Sequence, residues 1–157
     1  MNKINKRYIA AFLVILAIVI AFSSYYIHMK NEKIEKAKEL LIGKEFYGVS
    51  KNSNFYFTSE WSYRLTFKDE KKLVYVANWY FDEKGGDDDF FSSGNETIEW
   101  DIKYKWGKLE LVFVIEKGKY LKNRPAEPFE ICYSSDGTIY LYTRNYDSKQ
   151  SMFLYEK

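Results

Sequence analysis

Cysteine and histidine are almost absent from this sequence of 157 residues, which contains one residue of each type. A single cysteine, Cys132, excludes an internal disulfide and any metal cluster built from several cysteines. The only histidine, His28, directly follows a long apolar run near the N-terminus. Histidine-dependent catalytic triads and metal sites are therefore excluded from the remainder of the sequence. We expect Cys132 to be a small, half-buried strand residue rather than a reactive thiol.

Common catalytic and nucleotide-binding motifs are also missing, among them the P-loop, G-x-G-x-x-G, H-E-x-x-H and G-x-S-x-G. Paired carboxylates are the one catalytic device that the sequence leaves open. We therefore expect that the protein is not an enzyme and that it binds no cofactor.

Residues 82–95 form the longest irregular connection in the sequence and are strongly acidic. Their carboxylates surround two glycines and are Asp82, Glu83, Asp87, Asp88 and Asp89. Because this spacing does not match the EF-hand ligand pattern, a solvated loop is favoured over a calcium site, and we expect no metal. Phe90 and Phe91 are apolar neighbours in this loop, and we expect them to fold back as a lid.

Net charge is close to balanced, with 24 Lys/Arg and 22 Asp/Glu. Residues 44–157 hold 17 of the basic and 19 of the acidic residues, so this part of the chain is slightly negative. Nucleic-acid-binding domains are usually strongly basic. We therefore expect no nucleic acid among the partners.

An uncharged apolar run occupies residues 8–27, directly after a short basic tail at residues 1–7. Twenty helical residues rise about 30 Å, the thickness of a bilayer core. The sequence therefore predicts a transmembrane helix over residues 8–28. A cleaved signal peptide is the alternative, since Ala21 and Ser23 have the spacing of a cleavage site after Ser23. Tyr25 and Tyr26 continue the run like an interfacial aromatic belt, which favours a retained anchor.

Membrane orientation depends on two opposing signals. Four lysines, Lys30, Lys33, Lys36 and Lys38, follow the apolar run and three basic residues precede it, a count that mildly favours a cytoplasmic C-terminal domain. The short tail and the signal-like order of charged, apolar and small residues favour export. We predict a single-pass cell-membrane protein whose C-terminal domain is extracytoplasmic. Residues 29–43 predict a helical stalk that ends at Gly43.

Alternating apolar residues predict strands and hairpins throughout residues 44–157. In the clearest hairpin, a two-residue loop at Gly107 and Lys108 would place Trp106 opposite Leu109 and collect the bulky residues on one face. A second hairpin turns within residues 69–71, where two-residue and three-residue loops both fit. A third is predicted to turn through a three-residue loop at Ser135, Asp136 and Gly137.

About eight such strands without an intervening helix predict an all-β fold. A meander with one apolar face buries that face either by closing into an up-and-down barrel or by forming a sandwich, and sequential hairpins favour the antiparallel barrel. Such a barrel is either filled by side chains or hollow enough for one small hydrophobic ligand. The candidates for the cavity lining are Trp61, Tyr63, Trp100, Tyr104, Trp106 and Phe113. Another layer, a partner or the membrane surface would cover the outward-facing residues Val74, Val76, Val112 and Val114.

Four segments together resemble the small bacterial lipocalin-like (calycin-type) β-barrel domains of membrane-anchored envelope proteins. These segments are "LIGKEFYG", "YRLTFKDEKKLVYV", "IKYKWGKLELV" and "PFEICYSSDGTIYLYT". The chain has Phe46 where the family prefers tryptophan at the base of the barrel. The resemblance implies a lipocalin-like barrel over residues 44–157, usually without enzymatic activity, and it names no ligand.

Together these observations predict a membrane-tethered extracytoplasmic binding module for a small apolar ligand. The alternative is a structural or accessory envelope protein with a filled barrel that docks on a protein partner.

Overall fold

The computed structural model of the chain describes residues 3–53, 55–84, 90–115, 117, 119–125, 127–144 and 150–157. Within these residues it contains one helix and eight strands. The helix is α1 (Lys3–Leu41), and the strands are β1 (Glu45–Ser53), β2 (Phe57–Phe67), β3 (Lys72–Glu83), β4 (Phe90–Lys105), β5 (Lys108–Val114), β6 (Phe129–Tyr133), β7 (Ile139–Arg144) and β8 (Ser151–Glu156).

The predicted membrane segment and the predicted stalk form one continuous helix, α1. Its part Tyr8–Leu41 is long and apolar enough to cross a membrane, with a mean hydropathy of 2.4 in its most apolar window. By length and composition the same helix also satisfies the requirements of a signal sequence. Beyond the helix, Gly43 has a φ of +79°. This left-handed conformation confirms the predicted glycine cap.

The chain divides into two compact units, Met1–Lys36 and Ala37–Lys157, so the last turn of α1 belongs to the second unit. Ala37 and Leu41 are fully buried there. Lys38 Nζ lies 2.8 Å from a carboxylate oxygen of Asp101 on β4. Burial and an ion pair therefore hold the last turn of α1 against the strands of the second unit.

The eight strands form a closed antiparallel barrel in which each strand pairs with the next along the chain and β8 pairs with β1. This confirms the predicted all-β, up-and-down barrel. The seam between β1 and β8 is short, since its paired residues are Phe46 with Glu156 and Tyr47 with Tyr155. An ion pair of 2.6 Å between Lys44 and Glu156 adds to the same seam.

The predicted register of the β4–β5 hairpin is wrong by two residues. Lys105 pairs with Lys108 and Tyr104 with Leu109, so the turn consists of Trp106 and Gly107. Both turn residues have positive φ, 53° and 83°, as in a type I′ turn. Gly107 therefore takes the second turn position instead of the first. Because the shift is an even number, the face that each strand turns inward is unchanged.

Two other hairpins turn through three-residue loops. Lys68 N donates to Lys72 O, which places residues 69–71 in the loop and resolves the alternative left open by the sequence. Ser134 N donates to Thr138 O, which confirms the predicted loop at residues 135–137. Hydrogen bonds from the Ser134 hydroxyl and from Thr138 N lower the pKa of Asp136 to about 2. The Asp136 carboxylate therefore fastens this loop.

The predicted 82–95 connection is shorter than expected. Phe90 and Phe91 are the first residues of β4, paired with Phe81 and Tyr80, so the prediction that they form a lid in a loop is wrong. Strand pairing continues this far because the phenylalanines find aromatic partners on β3. The aspartates Asp87, Asp88 and Asp89 lie outside the described residues, and the interpretation of this segment as a solvated loop stays a prediction.

Aromatic side chains fill the middle of the barrel. Tyr63 on β2 and Phe129 on β6 are both fully buried, and their ring centroids are 5.5 Å apart in an edge-to-face arrangement. Since β2 and β6 are four strands apart in a barrel of eight, this contact crosses the barrel axis. Phe113 extends the contact, with its ring 5.9 Å from that of Phe129. At this level the interior is a packed core.

One end of the barrel, here called the closed end, is sealed by Phe46, Phe67 and Trp100. The Phe67 ring lies 5.9 Å from that of Phe46 and 4.8 Å from that of Trp100, edge to face in both pairs. Trp100 Nε1 donates to the carbonyl oxygen of Asp69 at 3.0 Å. Phe46 thus occupies the base of the barrel, and the buried indole N–H at this end has a hydrogen-bond partner.

Candidate functional site

A row of inward-facing side chains crosses β1 to β4 near the end of the barrel opposite the closed end. Ser50 pairs with Trp61, Trp61 with Trp79, and Trp79 with Ser92. These four residues are called the tryptophan layer below. Ser50, Trp61 and Ser92 are buried and Trp79 is half-buried. The layer exists because the β2–β3 loop has three residues, which places the two tryptophans directly opposite each other on the inner face.

The two indole rings stack, with centroids 5.5 Å apart and planes inclined by 23°. Three phenylalanines surround the stack on its outer side: Phe90 lies 5.0 Å and Phe81 lies 6.2 Å from Trp79, and Phe57 stacks on Phe81 at 5.6 Å. Phe90 is half exposed. The layer therefore lies one step inside an aromatic rim that reaches solvent.

The serines of the layer have hydrogen-bond partners. Ser50 Oγ donates to Gln150 Oε1 at 3.3 Å. The Ser92 hydroxyl and carbonyl oxygens accept from Asn123 Nδ2 at 3.3 and 3.0 Å. Asn123 has a φ of +56°, and its carbonyl oxygen accepts a hydrogen bond of 2.9 Å from the Tyr75 hydroxyl. The segment around Asn123 is thereby fixed against the inner face of β3 and β4.

The indole N–H groups of the layer, unlike its serines, are unsatisfied within the described residues. Nε1 of Trp61 and Nε1 of Trp79 are both buried, and neither has a hydrogen-bond partner in the part of the chain that the structure describes. Indole N–H groups donate and cannot accept. The layer and its aromatic rim consist of uncharged side chains. Chemically, the layer offers two buried hydrogen-bond donors beside flat apolar surface, and its two serine hydroxyls have no acidic or basic side chain next to them within the layer.

The six cavity-lining candidates predicted from the sequence do not lie together. Of these, Trp61 belongs to the tryptophan layer, while Tyr63 and Phe113 belong to the packed middle and Trp100 to the closed end. Tyr104 is half-buried opposite Leu109. Trp106 is 90% exposed, because the observed register places it in the β4–β5 turn and not on a strand as predicted.

Trp79 is the residue of the site that the sequence prediction missed. The segment "KLVYVANWYF" is apolar on both faces, so alternation alone did not assign Trp79 to the interior. The length of the β2–β3 loop could have identified Trp79 as an inward-facing residue. Only a three-residue loop at residues 69–71 places Trp79 opposite Trp61, whereas a two-residue loop would turn the other face of β3 inward.

Two surface cavities lie beside β5. The larger, about 350 Å³, is lined by charged side chains that include Lys72, Glu99 and Lys119. The smaller, about 220 Å³, lies between β5 and the β5–β6 connection, where Pro125 and Pro128 approach Val112. Val112 is half-buried, so the chain's own connection reaches one of the outward-facing valines. The groups of His, Cys, Asp and Glu in the described residues form no cluster that could hold a metal ion.

Aromatic side chains, three of them exposed and two half-buried, form a second feature on the outer face of the barrel. Rings on neighbouring strands β7, β8 and β1 make up this outer aromatic strip: Tyr47, Tyr140, Tyr142, Phe153 and Tyr155. The Phe153 ring lies 5.3 Å from that of Tyr142 and 6.1 Å from that of Tyr140. Next to the strip, Cys132 is half-buried on β6, as predicted, and burial raises the pKa of its thiol.

Comparisons with protein-family models, curated proteins and solved structures were made for the whole chain. They found no match.

Proposed function

We propose that the protein is a membrane-tethered, extracytoplasmic binding module of lipocalin type that takes a small apolar ligand at the tryptophan layer. One observation carries the proposal: Nε1 of Trp61, a side chain only 7% exposed, has no hydrogen-bond partner among the described residues. Leaving a buried donor unsatisfied costs about 1–3 kcal/mol. Folded proteins leave few buried donors unsatisfied, so this one requires an explanation, and a bound acceptor is the one proposed.

A comparison of the buried indole N–H groups at the two ends of the barrel supports this assignment. At the closed end the Trp100 indole donates to a backbone carbonyl, and the rings around it pack edge to face. At the tryptophan layer the serines are satisfied, whereas both indoles, behind an exposed aromatic rim, lack partners within the part of the chain that the structure describes. Binding sites for small molecules combine apolar walls with a few convergent polar groups in this way.

The tether is proposed from α1, whose apolar run is long enough for a bilayer. Retention is proposed over cleavage near Ser23 because Tyr25 and Tyr26 extend the run. The lipocalin-like assignment rests on the eight-stranded up-and-down topology together with the sequence resemblance.

Protease treatment of intact cells tests the orientation. If the second unit is extracytoplasmic, added trypsin removes it from intact cells expressing the full chain, since lysines occur throughout residues 44–157. A cytoplasmic protein serves as the control for cell integrity. Protection of the domain in intact cells, followed by digestion after lysis, would overturn the proposed placement.

Binding of an uncharged apolar dye tests the ligand site. We expect N-phenylnaphthylamine to bind the full chain in lipid nanodiscs saturably, beyond its signal with empty nanodiscs. Trp79→Ala should weaken that affinity about tenfold, because burial of aromatic surface is worth more than 1 kcal/mol. Trp106→Ala, at an exposed turn, is the matched control and should leave affinity unchanged. Absence of saturable binding, or equal losses in the two variants, would contradict the proposal.

A second function, docking on an envelope protein partner, is favoured by the outer aromatic strip. Phe153 and Tyr155 are 43% and 59% exposed, and exposed aromatic clusters are typical of protein interfaces. Val114, also exposed, lies on another part of the outer face. If docking is the function, Phe153→Lys should release a copurifying partner while leaving dye binding intact, and Val114→Lys should show whether the interface extends to β5.

A further inference from the structure

We infer that the ligand of the tryptophan layer is an uncharged apolar molecule that carries a hydrogen-bond acceptor oxygen, such as an ester or a ketone. The inference rests on the proposed binding function and specifies the chemistry of its ligand. It follows from which hydrogen-bonding groups of the layer have no partner among the described residues.

Among the residues that the structure describes, the buried groups of the layer without a partner are donors. Ser50 already bonds to Gln150, and Ser92 already bonds to Asn123. The groups left over are Nε1 of Trp61 and Nε1 of Trp79, on stacked rings 5.5 Å apart. Because an indole can only donate, a ligand satisfies these groups with lone pairs and cannot do so with N–H groups. A carbonyl oxygen has two lone pairs, which allows it to accept from both indoles.

The cost of burying a charge argues against a carboxylate ligand. A carboxylate would also accept from the indoles, but it would have to be buried in a layer of uncharged side chains. An ion transferred into such surroundings without a counter-charge costs several kcal/mol. An ammonium group has the same cost and carries no acceptor, so a neutral oxygen fits the layer best.

The aromatic rim determines the remainder of the ligand. Phe57, Phe81 and Phe90 continue the apolar surface outward from the stacked indoles. An alkyl or aromatic body would pack on these rings while its oxygen reaches the two N–H groups. A pure hydrocarbon would pack equally well and would leave both donors unsatisfied.

Displacement of N-phenylnaphthylamine by four ligands of similar length tests the inference on the full chain in nanodiscs. The ligands are methyl octanoate, n-nonane, octanoate and octylammonium. We expect methyl octanoate to displace the dye at about one-tenth of the concentration of nonane, since one satisfied hydrogen bond is worth about 1.4 kcal/mol or tenfold in affinity. Octanoate and octylammonium should be weaker than the ester.

The outcomes separate this inference from the proposed function. Equal displacement by the ester and by nonane, or strongest displacement by either ion, would overturn the inference while leaving a binding module. Absence of dye binding would remove both. Trp61→Phe and Trp79→Phe keep an aromatic ring but remove the donors, so each should reduce the preference for the ester over nonane. Trp106→Phe should keep that preference at its wild-type value.

Discussion

Replacing Phe129 by alanine is expected to lower the free energy of unfolding by about 3–5 kcal/mol. Phe129 is fully buried, and its ring meets Tyr63 across the barrel axis and Phe113 on the neighbouring strand. Alanine would leave a cavity at the level where opposite sides of the barrel touch, and a closed sheet cannot collapse inward to fill it. Urea unfolding of the full chain in micelles, followed by tryptophan fluorescence, measures the change.

Phe55→Ala is the matched control for this prediction. Phe55 precedes β2 and is 86% exposed, so the same truncation removes little buried surface and should change stability by less than about 1 kcal/mol. Similar losses in the two variants would mean that Phe129 does not pack across a filled interior.

Gly48→Ala is expected to disrupt the seam that closes the barrel, at a cost of about 3 kcal/mol. A Cβ atom at this position would clash with the backbone oxygen of Phe153 and lie 2.9 Å from Cγ of Leu154. Backbone cannot move aside as a flexible side chain does, so β8 must shift away from β1. Overpacking of this kind costs about 1–3 kcal/mol or more. The seam has few paired residues to absorb the shift.

Hydrogen exchange provides the diagnostic measurement for Gly48→Ala, with Gly94→Ala as the control. At Gly94 the nearest atoms belong to Lys122 and lie 3.1 Å from the added Cβ, which requires a smaller adjustment. We expect Gly48→Ala to accelerate exchange of the β8 amides selectively, and Gly94→Ala to leave them protected. Unchanged β8 protection in Gly48→Ala would contradict closure of the barrel through this seam.

Fold class was readable from the sequence because alternation and turn chemistry agree in most hairpins. The loop at residues 135–137 illustrates this agreement, since Gly137 supplies a φ of +85° and Asp136 accepts a hydrogen bond from the Thr138 N–H. Both requirements are local, so the sequence alone contains them. Closure of β8 onto β1 was the expected consequence of burying the apolar faces of successive hairpins.

The β4–β5 turn was predicted wrongly because a glycine indicates a tight turn without showing which of the two turn positions it occupies. Gly107 fits the first position of a type II′ turn and the second position of a type I′ turn. The I′ frame places Trp106 at a φ of +53°, which a bulky residue seldom adopts, and sequence rules therefore pointed to the other frame. Both turn types suit the strand twist and keep the same faces inward, so local rules could not choose between them, and the observed pairing of Tyr104 with Leu109 is that of the I′ turn.

The candidate site was less accessible to prediction than the fold. Trp61 was identified from alternation on β2, whereas Trp79 required the register of β2 against β3. Asn123 could not be found by any periodic pattern, because it lies in an irregular connection and contacts β3 and β4 through its side chain. Such long-range contacts depend on the closed barrel as a whole.

The proposed ligand site is tested most directly by the indole resonances of the four tryptophans in proton–nitrogen correlation NMR of the full chain in nanodiscs. On addition of methyl octanoate we predict that the indole N–H signals of Trp61 and Trp79 move downfield together as each gains an acceptor. The signals of Trp100, already bonded to Asp69, and of exposed Trp106 should stay in place. Unmoved Trp61 and Trp79 signals at saturating ester, or a response confined to Trp106, would contradict the account.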